Sequence, residues 1–171
     1  LDGATDDLVF KSEGAGGTAR VRFLDSGGIC FGTDTADANA LDDYEEGTFT
    51  ATVVAGGSGI SQQAINNRYI RIGGMVFVTC EVYQLTSPNA DGLTFGGLPF
   101  NIGNGREGVG AVMSNYVTYG TNRTMLTVYL KHNSPEFRLY SSGNATTWHH
   151  LAGNDFTTSG TIIASFVYHA V

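Results

Sequence analysis

The residues best suited to binding chemistry are aromatic and amide side chains in the second half of the chain. Tyr and Trp rings offer a flat apolar face together with a hydrogen-bonding group, and saccharides are bound by this combination. By strand alternation about half of these rings should face a core. Those beside turns are better candidates, because binding residues often lie on loops that a rigid scaffold carries. We predict a saccharide-binding surface at Tyr119, Asn122, Arg123, Tyr140, Asn144 and Trp148.

An acidic run around residues 34–46 allows three interpretations: a calcium site, a catalytic carboxylate pair, or a turn whose acids cap and solvate the backbone. The Asp-x-Asp-x-Asp-Gly spacing of a calcium loop is absent, and glycoside hydrolysis needs two carboxylates at a fixed separation. We expect the structural role, with pairing to Arg20, Arg22 or Arg68 of a second copy. The acids are Asp34, Asp37, Asp42, Asp43, Glu45 and Glu46.

Histidines offer a weaker metal hypothesis. His149 and His150 are adjacent, so in a strand only one of them can point to a shared symmetry axis. A ring of such imidazoles could bind zinc or nickel. We favour a partly exposed His beside Trp148, and we predict no metal and no other cofactor.

Two further features bear on chemistry. Cys30 and Cys80 are expected to be small buried side chains rather than a disulfide pair. The sequence contains no Gly-x-Ser-x-Gly nucleophile elbow and no phosphate-binding Gly-rich loop before a helix. We therefore do not predict an enzyme.

Composition excludes several partners. The formal net charge is −7 and the nine Lys and Arg residues are scattered, whereas nucleic-acid binding needs clustered cations. No apolar run reaches the ~18–20 residues of a spanning helix, so we predict no membrane insertion. Charged residues are only 15% of the chain and 24 of the 171 residues are Gly, which favours β-structure with many turns.

Residues 1–43 are predicted to form a β-rich stem and junction. Short apolar pieces are separated by Gly-rich turns at 13–17 and 25–28, and Val21, Phe23, Ile29 and Phe31 alternate as strand residues do. Strands this short cannot bury their apolar faces alone. We expect them to intertwine with copies of the same chain around a threefold axis.

Residues 44–171 are predicted to form an antiparallel, jelly-roll-like β-sandwich head. Alternating strands are expected at 49–54, 69–72, 75–83, 109–119, 125–131, 137–140, 148–151 and 162–168, with Gly73-Gly74 as a hairpin turn. No helical pattern is present. The Pro-containing connection 86–108 is expected to be an edge strand or an ordered loop that carries function or wraps a partner.

The segment NALDDYEEGTFT at 39–50 resembles the junction that opens the distal β-domain of tail-fibre and tailspike proteins of tailed bacteriophages. The segments 20–32, 69–79, 96–100 and 160–168 are similar to the stem repeat, hairpin, Gly-Leu-Pro-Phe turn and closing strand of that family. Phe49, Arg71 and Gly74 replace the Trp, Lys and Asn that are usual there.

The resemblance implies a homotrimeric fibre tip on a virion, extracellular when assembled, with the rest of the tail fibre N-terminal to residue 1. It implies adsorption to a host cell-surface glycan or outer-membrane receptor. The alternatives are a structural capsid or baseplate element without receptor binding, and a polysaccharide depolymerase. The resemblance marks Asp42, Asp43, Tyr44, Glu45 and Glu46 as the stem–head junction.

Overall fold

A computed structural model describes residues 6–12 and 16–171. Within these residues the chain forms thirteen β-strands and two short 3-10 helices, so the predicted all-β fold is confirmed. The chain divides into two compact units. The small unit comprises the described residues up to 45 together with 71–73, and the large unit comprises 46–70 and 74–171. No helix in the described ranges is long and apolar enough to cross a membrane.

The small unit contains a three-stranded antiparallel sheet of β1 (Leu8–Lys11), β2 (Ala19–Phe23) and β3 (Ile29–Phe31), followed by a 3-10 helix at Asp37–Asn39. These strands coincide with the short apolar pieces of the sequence. Residues 1–5 of the predicted stem and residues 13–15 of its first Gly-rich turn lie outside the described residues.

The two faces of this small sheet differ in an unusual way. One face carries a buried ion pair, in which Arg22 Nη1 donates to Asp7 Oδ2 at 2.6 Å, and Cys30 is buried beside it in the same unit. The backbone N–H of Asp25 donates to the second Asp7 oxygen at 2.9 Å. The opposite face is apolar and largely open, and it consists of Leu8, Phe10, Val21, Phe23, Ile29 and Phe31.

Ten strands form the second sheet. They are β4 (Tyr44–Thr48), β5 (Thr52–Ala55), β6 (Ser61–Ile72), β7 (Met75–Thr86), β8 (Thr94–Gly96), β9 (Gly108–Val117), β10 (Met125–Leu130), β11 (Phe137–Ser142), β12 (His149–His150) and β13 (Phe156–His169). Their order is β4-β6-β7-β13-β9-β10-β11-β8-β5, and β12 pairs with β11. The predicted Gly73-Gly74 turn joins β6 to β7, with Gly73 at a φ of +55° that suits glycine.

The large sheet curls around one hydrophobic core. Phe166 on β13 and Phe137 on β11 have ring centroids 5.4 Å apart, although two strands separate them in the sheet. In a flat sheet they would lie about 14 Å apart. Gln62 on β6 also contacts the segment at β5, the opposite end of the sheet. Its side-chain amide donates to Ala51 O at 3.2 Å and accepts from the Val53 N–H at 3.1 Å.

The connection 86–108 contributes to this core. It contains β8, which pairs with β11 on one side and β5 on the other, so it is an inner strand rather than the expected edge. Leu93, Phe95 and Ile102 are fully buried, and the Phe95 ring stacks on Phe137 at 5.0 Å. Both prolines of the connection lie outside β8, so their missing N–H groups cost the sheet no hydrogen bond.

Candidate functional site

A groove of about 500 Å³ lies on the outer face of strands β9, β10 and β11, within the range of small-ligand sites. Its position follows from strand alternation. On β10 Val128 is buried, so Tyr129 faces out, and on β11 Leu139 is buried, so Arg138 and Tyr140 face out. The described lining residues are Glu107, Gly108, Val109, Tyr129, Lys131, Arg138, Tyr140 and Trp148.

Tyr140 is the centre of an aromatic cluster in this groove. Its ring meets Tyr129 edge to face at 5.5 Å and Trp148 at 6.5 Å. It also stacks on the imidazole of His150 at 4.9 Å, with 19° between the planes. Trp148 is 75% exposed. The cluster therefore offers an apolar corner whose outer ring is open to solvent.

His150 supports the corner from β12 as a neutral imidazole. Its Nε2 lies 2.7 Å from the carbonyl oxygen of Leu93, where the N–H donates. Burial lowers the pKa of His150 and outweighs the hydrogen bond to Leu93, which acts to raise it, while the charge of Arg138 adds to the lowering. The neighbouring His149 instead pairs through Nε2 with Asp155 Oδ2 at 2.8 Å.

Polar groups stand along the edge of the groove. The Tyr129 hydroxyl donates to Glu107 Oε1 at 2.7 Å, and this hydrogen bond raises the Tyr129 pKa. Within the described part of the chain, Arg138 makes no ion pair and its Nε has no hydrogen-bond partner. Among the described lining residues Glu107 carries the only carboxylate.

No protein-family model, curated protein or solved structure matches this chain. The groove therefore has to be interpreted from its own side chains. Half-buried Tyr rings and an exposed Trp ring stand beside a guanidinium, an ammonium and a carboxylate. This combination is typical of a site that binds a polar ring compound, because rings pack on the apolar faces while hydroxyl groups bond to the polar edge.

The structure places the six predicted binding residues in different settings. Tyr140 and Trp148 share the groove. The Tyr119 hydroxyl instead hydrogen-bonds to Ser114 Oγ at 2.7 Å, and its ring packs against the core. Asn122 is in a turn with φ of +57°, and Asn144 is exposed in the turn before Trp148.

Arg123, the sixth predicted residue, positions that turn. Its Nη2 donates to the carbonyl oxygen of Thr147 at 3.1 Å, and its Nη1 donates to Thr121 O at 3.3 Å. Thr147 directly precedes Trp148. Arg123 thus holds the segment that presents the indole, without lining the groove.

Sequence reasoning missed Tyr129, Lys131, Arg138 and Glu107. Each lies in or beside a strand, whereas the predicted residues were those next to turns. One signal was present, because Tyr129 and Arg138 alternate with buried apolar residues and so had to face outward.

Side chains of the acidic run form local hydrogen bonds. Asp34 accepts from the Ala36 N–H at 3.0 Å and from Asn39 Nδ2 at 2.8 Å, and these bonds lower its pKa. Asp43 Oδ2 pairs with Arg71 Nη2 at 2.8 Å. Across the described residues, no three or more His, Cys, Asp or Glu side chains converge as a metal site.

The remaining junction acids show the same local use. Asp42 accepts from the Asp43 N–H at 2.7 Å, and Asp37 accepts from Ser26 Oγ at 2.8 Å. Tyr44, Glu45 and Glu46 each have an interaction partner. Arg22, expected to pair with acids of a second copy, is bound by Asp7 of its own chain.

Cys30 and Cys80 are buried free thiols, and burial raises the pKa of Cys80 to about 12.

A second surface feature of the large unit is a trough of about 550 Å³ across β4, β6, β7 and β13. Ile70, Phe77 and Val167 line it, and each of the three is more than one-third exposed. Ile163 and Met113 extend the same apolar outer face toward β9. Exposed apolar areas of this extent commonly mark association surfaces.

Proposed function

We propose that this chain is the distal region of a tailed-bacteriophage tail fibre that binds a saccharide of the host surface through the Tyr129–Tyr140–Trp148 groove. The fibre would be a homotrimer with an intertwined β-stem and a head in which the curled sheet forms the two layers of a jelly-roll-like sandwich. The exposed aromatic corner at Trp148 carries the binding part of the proposal. The junction resemblance at 39–50 supplies the virion context.

The corner suits weak, repeated binding. One sugar ring against Trp148 and Tyr140 buries little surface and must offset the entropy lost on association, so a single site gives a modest affinity. Three copies of the groove on one fibre tip would raise the overall avidity by orders of magnitude without any new contact. A host surface presents the same saccharide many times, which is the condition for that gain.

The exposed apolar faces support self-association. In the small unit Phe31 is 64% and Phe10 is 54% exposed, while the polar Asp7–Arg22 pair is buried on the opposite face. In soluble proteins the apolar face of a sheet is normally buried and the charged face is normally exposed to solvent. Copies of the same chain are a suitable cover, because identical phenyl-rich faces can pack against one another without burying charge.

The binding proposal is tested by tryptophan emission, because Trp148 is the only Trp in the chain. A panel of purified bacterial surface polysaccharides is titrated against the protein. A binding polysaccharide should shift or quench the emission, and labelled protein should adsorb to cells that carry it. Trp148→Ala and Tyr140→Ala should abolish adsorption.

The control is Tyr116→Ala, which removes an exposed aromatic side chain outside the groove and should leave adsorption intact. Equal adsorption by Trp148→Ala and the unaltered protein would contradict the binding role. The chain would then be better described as a structural fibre element. Release of oligosaccharide from a bound polysaccharide would instead indicate a depolymerase, which needs a second carboxylate beside Glu107.

The trimer proposal is tested by light scattering at micromolar concentration. The unaltered chain should have three times the monomer mass. Phe10→Ser with Phe31→Ser removes the most exposed phenyl groups of the small sheet and should shift the mass toward the monomer. A monomeric mass for the unaltered chain would exclude self-association of this region.

A further inference from the structure

We infer that the groove selects an acidic saccharide and that Arg138 binds the sugar carboxylate while Trp148 and Tyr140 hold the sugar ring. This inference rests on the proposed saccharide-binding function and narrows it to one chemical class. It depends on the position and on the unsatisfied state of a single guanidinium.

Arg138 is placed between two rings of the groove. It lies directly opposite Tyr129 across the β10–β11 pair, and Tyr140 follows two residues later on the same face. Its side chain is neither fully buried nor fully exposed. A ligand that rests on the exposed Trp148 ring and contacts Tyr140 would therefore meet the guanidinium beside the rings.

The hydrogen-bonding capacity of Arg138 is unused. Among the described residues none forms an ion pair with it, and its Nε is shielded from solvent without a hydrogen-bond partner. A buried unsatisfied donor is costly unless a ligand or water satisfies it. The Nε of Arg123 is also buried without a partner, but both terminal nitrogens of Arg123 donate to carbonyl oxygens of the chain. Arg138 differs in that its terminal nitrogens donate to no group among the described residues.

The local charge favours a single negative charge on the ligand. Lys131 and Arg138 face one carboxylate, Glu107, which already accepts from the Tyr129 hydroxyl. The groove is thus cationic on a chain of net charge −7. A planar carboxylate matches the guanidinium fork with two parallel hydrogen bonds. A phosphodiester also carries one negative charge and can accept from a guanidinium, so the phosphate-bearing class is the comparison that tests the choice of a carboxylate.

The experiment uses an array of bacterial polysaccharides in three classes: neutral, uronate- or other carboxylate-bearing, and phosphate-bearing. We expect binding to be confined to the carboxylate class. Each polysaccharide that binds is then treated with carbodiimide and borohydride, which reduces its carboxylates to alcohols on the same chain. Reduction should abolish binding.

Variants assign the effect to the residue. Arg138→Gln should weaken binding about tenfold or more, because a charge-assisted bidentate contact is lost. Arg138→Lys keeps the charge but not the fork, so it should recover only part of the affinity. Arg106→Gln removes an exposed cation outside the groove and should have no effect. Circular dichroism of each variant checks the fold.

The outcomes separate the two proposals. The acidic-saccharide inference would be overturned if only neutral or phosphate-bearing polysaccharides bind, or if affinity survives both carboxylate reduction and Arg138→Gln. In either case the saccharide-binding proposal would stand, provided that Trp148→Ala still abolishes binding. Failure to bind any of the three classes would overturn both.

Discussion

Tyr140 stacks on His150 with 4.9 Å between ring centroids, and the imidazole is held by the carbonyl oxygen of Leu93 at 2.7 Å. The groove floor therefore depends on a titratable ring that belongs to a neighbouring strand. Because Leu93 is a core residue, this contact also connects the groove to the interior of the curled sheet.

The first prediction concerns pH. Burial lowers the pKa of His150 in the folded protein from its ordinary value of 6.5. As the pH drops below about 6.5, the unfolded chain therefore binds a proton at this residue before the folded protein does. The free energy of unfolding falls over this range and stops falling once the pH is below the lowered pKa of the folded protein. His150→Gln keeps a donor for Leu93 and should flatten the dependence of the thermal midpoint between pH 7.5 and pH 5. His132→Gln, near Glu107 at 3.9 Å, serves as the control. Parallel curves for His150→Gln and the unaltered protein would refute the assignment.

The second prediction concerns the Arg123 tether. Arg123→Ala removes the hydrogen bond to Thr147, so the turn that carries Trp148 should gain freedom. The steady-state fluorescence anisotropy of the single indole should fall, and saccharide affinity should fall with it. Asn144→Ala changes an exposed residue of the same turn and should leave the anisotropy as it was. An unchanged anisotropy in Arg123→Ala would show that Arg123 does not position the turn that carries Trp148.

The third prediction concerns the buried Asp7–Arg22 pair. Asp7→Ala leaves the guanidinium buried without that partner, which costs about 3–5 kcal/mol. In a Cys80→Ala background, labelling of the buried Cys30 by a thiol reagent should accelerate by about a hundredfold to several thousandfold. Asp6→Ala alters the exposed neighbour and should label at the original rate. Equal rates for all three proteins would show that the pair does not stabilise this unit.

The fourth prediction concerns the core. Phe137 contacts Phe95 at 5.0 Å and Phe166 at 5.4 Å, so Phe137→Ala should lower the free energy of unfolding by about 3–5 kcal/mol. Urea titration followed by Trp148 emission measures the change. Met125→Ala, at a 60% exposed position of β10, should stay within about 0.5 kcal/mol. A small loss at Phe137 would mean that the two halves of the sheet are less tightly packed than the ring distances imply.

Local pattern predicted the strands but not the way in which they assemble. The predictions at 75–83, 125–131 and 162–168 fall on β7, β10 and β13, along which buried and outward-facing residues alternate, although Lys131 lies just after β10. The strand predicted at 49–54 is displaced, since β5 begins at Thr52, and β6 begins eight residues before its prediction. Residues 61–67 are mostly polar, so alternation could not reveal a strand whose hydrogen bonds come from β4 and β7.

The lining of the candidate groove could be predicted only in part from the sequence, for a similar reason. Tyr140 and Trp148 were identifiable beside turns. The approach of Arg138 to Tyr129, however, is set by the register of β10 against β11. A six-residue connection lies between these strands, and a loop of this length does not fix a register. Only the paired strands bring the cation and the aromatic rings to one face.

The central position of β13 has a consequence for synthesis. β13 separates β7 from β9 in the sheet, and Phe166 lies opposite both Val78 and Gly110. These strands are translated long before their shared partner emerges from the ribosome, so we expect the large unit to fold late and slowly. A chain whose synthesis ended before residue 156 would have two unpaired strand edges, and such edges are prone to pair with another chain.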